Sequence, residues 1–272
     1  SPIERRAIGY RWQDEAWVRE PDMADGVFGA MGGVETTATD YARWLTFLLS
    51  AWPARDEPDT GPMARATVRE MIEGSNFPQG VARSSAIGGA ACRQARTYAM
   101  GWWVIEDCDL GRVVSHSGGY PGYGSNVLLL PDKGVAVFAF ANRTYAGPST
   151  AVFRAALALP NPPARPVPVS RGLTQGYDIV RAIWAAGSVS GSEQGLAMNV
   201  LLDRDAPHWA AELARLKAAV GACPASEAVT ARSAMQGVFT WTCERGRING
   251  AFLLAPTPAV SLQSLTFEVL AP

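Results

Sequence analysis

Between Tyr98 and Asn142 the chain runs through YAMGWWVIE, GRVVSHSG, SNVLLLP and GVAVFAFAN, β-prone segments divided by Gly, Pro, Asp and Asn turns. Parallel neighbours need a crossover of about a dozen residues or more, and these connections are too short for one. The segment therefore predicts an antiparallel meander, with Pro131 to Gly134 (PDKG) as a hairpin turn between two largely buried strands.

The period differs on either side. In Met31 to Ser50 a glycine turn feeds a helix: Thr37 and Asp40 have the spacing of a capping box, and Tyr41, Trp44, Leu45 and Leu48 recur at helical intervals. A second helix is expected over Met63 to Ile72, a Gly- and Ser-rich loop over Phe77 to Ala95, and a further helix over Ser149 to Leu159. Asn161 to Ser170 (NPPARPVPVS) carries four prolines, sustains neither helix nor inner strand, and reads as a stiff linker. Beyond it, two or three helices ending with Trp209 to Val220 precede β-prone runs at Val238 to Cys243, Ile248 to Leu254 and Leu262 to Leu270. The fold class is α+β, with a larger unit over 1–160, the linker at 161–170 and a small α+β domain over 171–272.

A length of 272 residues with 48% hydrophobic content supports a substantial core. Net charge is −1, so the basic surplus of a phosphate-backbone binder is missing and no nucleic-acid partner is expected. The longest apolar runs, such as Val135 to Ala141, fall far short of the roughly 20 residues of a membrane span. The chain starts without methionine or an apolar leader, which reads as a processed product, an excised segment or an incomplete frame.

Cys92, Cys108, Cys223 and Cys243 include no C-x-x-C pair, and the chain's two histidines, His116 and His208, add few ligands, so no metal site and no cofactor are expected. Two disulfides, Cys92 with Cys108 and Cys223 with Cys243, suit an oxidising periplasmic or secreted bacterial setting. Four buried thiols are the alternative.

His116 ends a predicted strand and is followed at once by Ser117, Gly118 and Gly119. Small residues there let a ligand approach the backbone amides, as in an oxyanion site; a strand-end turn with a hydrogen-bonded histidine explains the same spacing. Tyr120 and Tyr123 either flank a substrate or wedge the loop against the domain. Of Trp102 and Trp103, which alternate across a strand, one is expected in the core. His208, between Pro207 and Trp209 at a helix start, reads as structural. Ser1 offers a rival reading as an N-terminal nucleophile whose own amine is the base.

Gly32-Gly33, Thr36-Thr37-x-x-Asp40, Gly101-Trp102, His116-Ser117-Gly118-Gly119, Pro121-Gly122-Tyr123-Gly124-Ser125, Pro131-Asp132 and Asn142 occur in one order. This set resembles the C-terminal half of the penicillin-recognising serine hydrolases, the superfamily of class C β-lactamases, D-alanyl-D-alanine carboxypeptidases and related esterases and D-aminopeptidases. The resemblance spans roughly Ile8 to Leu159. It implies a β-lactamase-like antiparallel sheet flanked by helices and incomplete on its N-terminal side. His116-Ser117-Gly118 would be the third motif, with His116 positioning the proton-shuttling tyrosine and the substrate carboxylate. Ser117 would offer a hydroxyl to substrate, and the Gly119 N–H would be an oxyanion donor.

The superfamily's first motif, Ser-x-x-Lys, is absent: Leu130 and Ala214 stand three residues before Lys133 and Lys217, the chain's two lysines. No tyrosine is followed two positions later by asparagine, so Tyr-x-Asn is absent too. The expectation is a chain that begins after its nucleophile, is inactive alone, and is completed by an N-terminal segment of the same protein, the whole acting on a small-molecule or peptide substrate by acyl transfer. The alternative is a non-catalytic relative that binds a peptide or cell-wall fragment.

Overall fold

The computed structural model describes residues 6–23, 26–27, 29–84, 89–160 and 162–270. Ser1 lies outside them, as does Asn161 of the proline-rich segment. The chain divides into two compact units: residues 1–53 with 59–165, and residues 54–58 with 166–272. Residues 162–170 carry neither helix nor strand.

The first unit opens with a hairpin of β1 (Tyr10–Gln13) and β2 (Ala16–Arg19), then α1 (Gly29–Gly32), α2 (Ala38–Leu49) and α3 (Arg65–Glu70). A six-stranded sheet follows: β3 (Asn76–Ser84), β4 (Ala91–Tyr98), β5 (Trp103–Asp107), β6 (Gly111–Tyr120), β7 (Tyr123–Leu130) and β8 (Val135–Ala141). Every neighbouring pair is antiparallel and spatial order equals chain order, the expected meander. Between β7 and β8, Pro131–Lys133 forms a 3-10 turn closed by Gly134 at φ 68°. Helix α4 (Ser149–Ala158) ends the unit.

α2 begins where the capping residues place it: the Asp40 N–H donates to Thr37 Oγ1 at 3.1 Å and the Thr37 hydroxyl donates to Asp40 Oδ2 at 2.9 Å. Its Leu45, Leu48 and Leu49 pack with Val68 and Ile72 onto Val104, Val114, Val127 and Leu129 of one sheet face. Val152 and Ala156 of α4 pack onto Val113, Leu128 and Leu130 of the other. Successive residues of β6 and β7 thus enter opposite cores, which makes three layers with the sheet in the middle. Among the described residues no strand pairs with the outer side of β8.

Of Phe77 to Ala95, expected as a loop, residues 77–84 and 91–95 instead lie in the paired strands β3 and β4, while 85–88 lie outside the described residues. β3 is an edge strand with mostly exposed side chains, so its pattern has no buried face to betray it. What holds it is polar and covalent. Cys92 on β4 is bonded to Cys108 in the β5–β6 turn. Asp107, the last residue of β5, is buried and accepts from Arg83 Nη2 at 2.8 and 2.7 Å, from the amides of Asp109 and Leu110 at 2.9 and 3.0 Å, and from Gln94. Arg83 also pairs with Asp109 at 2.8 Å. These sulfur and carboxylate groups lie within 4.8 Å of one another. With the sulfurs joined to each other and Arg83 paired with both carboxylates, the group is a tether for the hairpin.

The second unit packs α5 (Arg171–Ala186), α6 (Met198–Asp203) and α7 (Ala206–Val220) with a sheet of β9 (Thr230–Ala231), β10 (Gln236–Cys243), β11 (Gly246–Leu254) and β12 (Leu262–Leu270), spatial order β12-β11-β10-β9. Its core is aromatic: Tyr177, Trp184, Phe239, Trp241 and Phe252 are buried together. Trp241 Nε1 donates to the Tyr177 hydroxyl at 2.7 Å, which donates to the Glu227 carbonyl at 2.7 Å, so both polar tips are satisfied. Cys223 and Cys243 form the other disulfide. His208 sits in the first turn of α7, where Asp205 caps its amide at 2.9 Å and meets Nδ1 at 2.5 Å.

Asp107→Ala is expected to cost about 3 kcal/mol in urea unfolding, the low end for a broken buried ion pair because Arg83 keeps Asp109. Burial pushes the Asp107 carboxyl up, but the bonds from Arg83, the Asp109 and Leu110 amides and Gln94 outweigh this and hold it below the ordinary aspartate value. A depressed carboxylate contributes fully above its unfolded value of about 3.9 and loses that contribution as pH falls through the folded one. The gap between wild type and Asp107→Asn should be constant from neutral pH to about 5 and shrink below about 4.

Candidate functional site

The site is built at the open end of β6. β5 begins at Trp103, which pairs with Ser115, so residues 116–120 have β7 on one side and no strand on the other among the described residues. The two-residue β6–β7 turn closes on Tyr120 and Tyr123, whose N–H and C=O groups bond one another; with period two, His116 and Gly118 also turn theirs to β7, while Ser117 and Gly119 turn theirs to the other side, beyond the start of β5. The Ser117 carbonyl on that side meets His116 Nδ1 at 2.8 Å. The Gly119 amide, two residues on, is aimed at the same unoccupied edge. Ser117, Gly118 and Gly119 are exposed, whereas His116 and Tyr120 are half-buried.

The His116 ring is held at both nitrogens. A carbonyl oxygen only accepts, so in the neutral ring Nδ1 carries the hydrogen toward Ser117. Nε2 is then the acceptor, and the Tyr98 hydroxyl stands 3.1 Å from it. Tyr98, at the end of β4, packs edge-on against Trp103 with ring centroids 5.0 Å apart, and the Arg96 guanidinium lies 5.7 Å over that indole. Trp102 turns instead to the α2 side of the core. Spacing alone does not mark Tyr98, since 18 residues separate it from His116. The usable signal is topological: a tyrosine that ends β4 lies one short strand away from β6.

On the opposite face Tyr145 covers Gly119. A Cβ at Gly119 would lie 2.6 Å from Tyr145 Cδ1, closer than carbon atoms approach, so glycine is required under that ring. Tyr145 itself has φ 50°, left-handed backbone that costs a tyrosine on the order of 1 to 3 kcal/mol, and it is 67% exposed. The same turn presses on β7, where a Cβ at Gly124 would fall 1.6 Å from the Ala146 carbonyl oxygen.

The Tyr120–Tyr123 turn is tied to the N-terminal hairpin. The Tyr123 hydroxyl donates to the Ala7 carbonyl at 2.6 Å and Asn142 Nδ2 donates to that of Ile8 at 3.0 Å. The Gly122 N–H donates to Thr144 Oγ1 at 2.8 Å, and that hydroxyl donates to Glu20 Oε1 at 2.5 Å. The Thr144 bond, joined by Arg11 at 2.8 Å and opposed by desolvation, holds the Glu20 carboxyl below the ordinary glutamate value. Tyr120 reaches across to α1, 3.6 Å from where a Gly32 Cβ would stand, and its carbonyl accepts from the Tyr145 amide at 3.3 Å. His116, Ser117, Gly118, Gly119 and Tyr120 therefore line one edge, while the Tyr123 hydroxyl is engaged with the backbone of Ala7.

The family profile described as Beta-lactamase matches residues 1–159, more than half of the chain. The chain belongs to the β-lactamase family, within the penicillin-recognising superfamily of serine hydrolases. No curated protein matches it.

Gly119→Ala should cost about 1 to 3 kcal/mol through its collision with Tyr145. Tyr145→Gly removes both the ring and the left-handed strain. In a double-mutant cycle by urea unfolding the pair should couple by about 1 kcal/mol or more, whereas additive costs would show that the ring does not rest on Gly119.

Proposed function

We propose that this chain forms one wall of a serine acyl-transfer site that cleaves an amide, lactam or ester bond through a covalent acyl-enzyme. The supporting observation is the open end of β6, where the His116 ring and the Gly119 amide face one unpaired edge. An amide fixed there by the sheet ladder is preorganised for a developing oxyanion, and such a donor contributes about 3 to 4 kcal/mol in comparable acyl-transfer sites. His116 positions the proton-carrying group and the substrate, with Ser117, Gly118, Tyr120 and Tyr123 as substrate-side residues.

The nucleophile and its base belong to a segment outside this sequence, because neither Ser-x-x-Lys nor Tyr-x-Asn occurs in it. In this reading residues 1–160 are the C-terminal part of the catalytic domain, 161–170 its linker and 171–272 an accessory α+β domain. Histidine where many relatives carry lysine favours a peptidase or esterase over an efficient β-lactamase. Two disulfides favour an oxidising compartment, hence a periplasmic or secreted bacterial protein. Among the described residues no helix is long and apolar enough to cross a membrane.

The missing motifs also support a second reading, a non-catalytic relative that binds a peptide or cell-wall fragment at the same edge. A fluorophosphonate probe separates the two. The complete protein, carrying the segment upstream of this chain, should be labelled, and His116→Ala should lower its kcat/KM on ester or D-amino-acid anilide substrates roughly 100-fold. The 272-residue chain alone should stay unlabelled. An unlabelled complete protein that binds a cell-wall peptide in calorimetry, without turnover, would establish the binding reading instead.

A further inference from the structure

We propose that Tyr98 is the positioning residue for His116: its hydroxyl fills Nε2 and locks the neutral imidazole in the Nδ1–H form, with the ring laid along the open edge of β6. The inference rests on the reading of that edge as the active site, but its geometry stands independently. Both ring nitrogens have one partner each, at 2.8 and 3.1 Å, and the partners differ in kind. The Ser117 carbonyl can only accept, while the phenol can donate, so the chain of bonds runs in one direction from Tyr98 through His116 to Ser117.

The arrangement also restrains Tyr98. Its ring is held edge-on by Trp103, the first residue of β5, which in turn lies under Arg96. The shortness of β5 leaves a gap through which a β4 side chain reaches a β6 side chain past the strand between them. Without the phenol, Nε2 would be free to take up the hydrogen, and the ring could leave Ser117 by rotation about its side-chain torsions.

The test is the imidazole nitrogen spectrum of the 272-residue chain, by long-range proton–nitrogen correlation at about pH 8.5, where an ordinary histidine is neutral. With two histidines there are two spin systems, and His208→Gln identifies the other as His116. The expected result is a protonated Nδ1 and a hydrogen-bonded, unprotonated Nε2 for His116. Tyr98→Phe should move the Nε2 resonance and populate the Nε2–H form while leaving His208 unchanged. A wild-type His116 in the Nε2–H form, or a Tyr98→Phe spectrum identical to wild type, would overturn the proposal. Should Tyr98→Phe not fold, fluorotyrosine incorporation strengthens the phenol as a donor without changing its shape. It must then shift His116 Nε2 and not His208, and an unmoved Nε2 would equally overturn the lock.

In the complete protein Tyr98→Phe should change the pH profile of kcat/KM, which a purely packing role would leave in place. The two failures are distinguishable. A locked His116 in a protein that hydrolyses nothing refutes the catalytic reading alone, and active hydrolysis with an unlocked His116 refutes the role of Tyr98 alone.

Discussion

Burial of β7 on both faces is the constraint on which the larger unit depends. Val127 and Leu129 face α2 and α3, Leu128 and Leu130 face α4, and all four are at most 5% exposed. A strand so enclosed cannot leave its amides to water, so both of its edges must be paired, and β6 and β8 pair them. Its register is fixed for the same reason. A slip by one residue would exchange the contents of two cores of different shape, so the position of every β6 residue follows from β7.

That rigidity is what a site at the end of β6 requires. The β6–β7 ladder runs through Gly118–Ser125 and Gly119–Gly124 to Tyr120–Tyr123, whereas β5 stops at the level of Ser115. One side of residues 116–120 is thus anchored and the other bare. Glycine at 119 and 124 lets the turn through Tyr145 and Ala146 close over the opposite face. The edge is therefore open by strand length and fixed in direction by pairing, and neither property depends on a flexible loop.

Much of the meander was legible because it is a pattern of burial. Alternating or fully apolar runs with turn residues between them identify strands with covered faces, and Thr37 with Asp40 identifies the start of α2. The β3–β4 hairpin was not legible for the complementary reason. Residues 76–84 are mostly exposed, and their strand conformation is imposed by backbone pairing, by the Cys92–Cys108 bond and by Arg83 reaching Asp107, 24 residues away. Glycine and serine composition there describes an exposed edge and a loop equally well. At the site, His116 and the glycines stood out by local spacing. Tyr98 and Tyr145 are brought to them by the fold, and no local rule connects them.

The polar bonds around the site extend the same logic to the N-terminal hairpin. Tyr10 pairs with Arg143 just beyond β8, and Thr144 collects the Gly122 amide on one side and the Glu20 carboxylate on the other. Gly122 and Glu20, far apart in the chain, thereby share one hydroxyl, which fixes the β6–β7 turn from outside the sheet while the ladder fixes it from within. A hydroxyl that accepts one bond and donates the next cannot be replaced by methyl without stranding the Gly122 amide, which is buried, so the cost falls on the turn itself. The turn, like residues 116–119 before it, has no β5 beside it, and this network supplies, from the N-terminal hairpin, a restraint that a longer β5 would otherwise have provided.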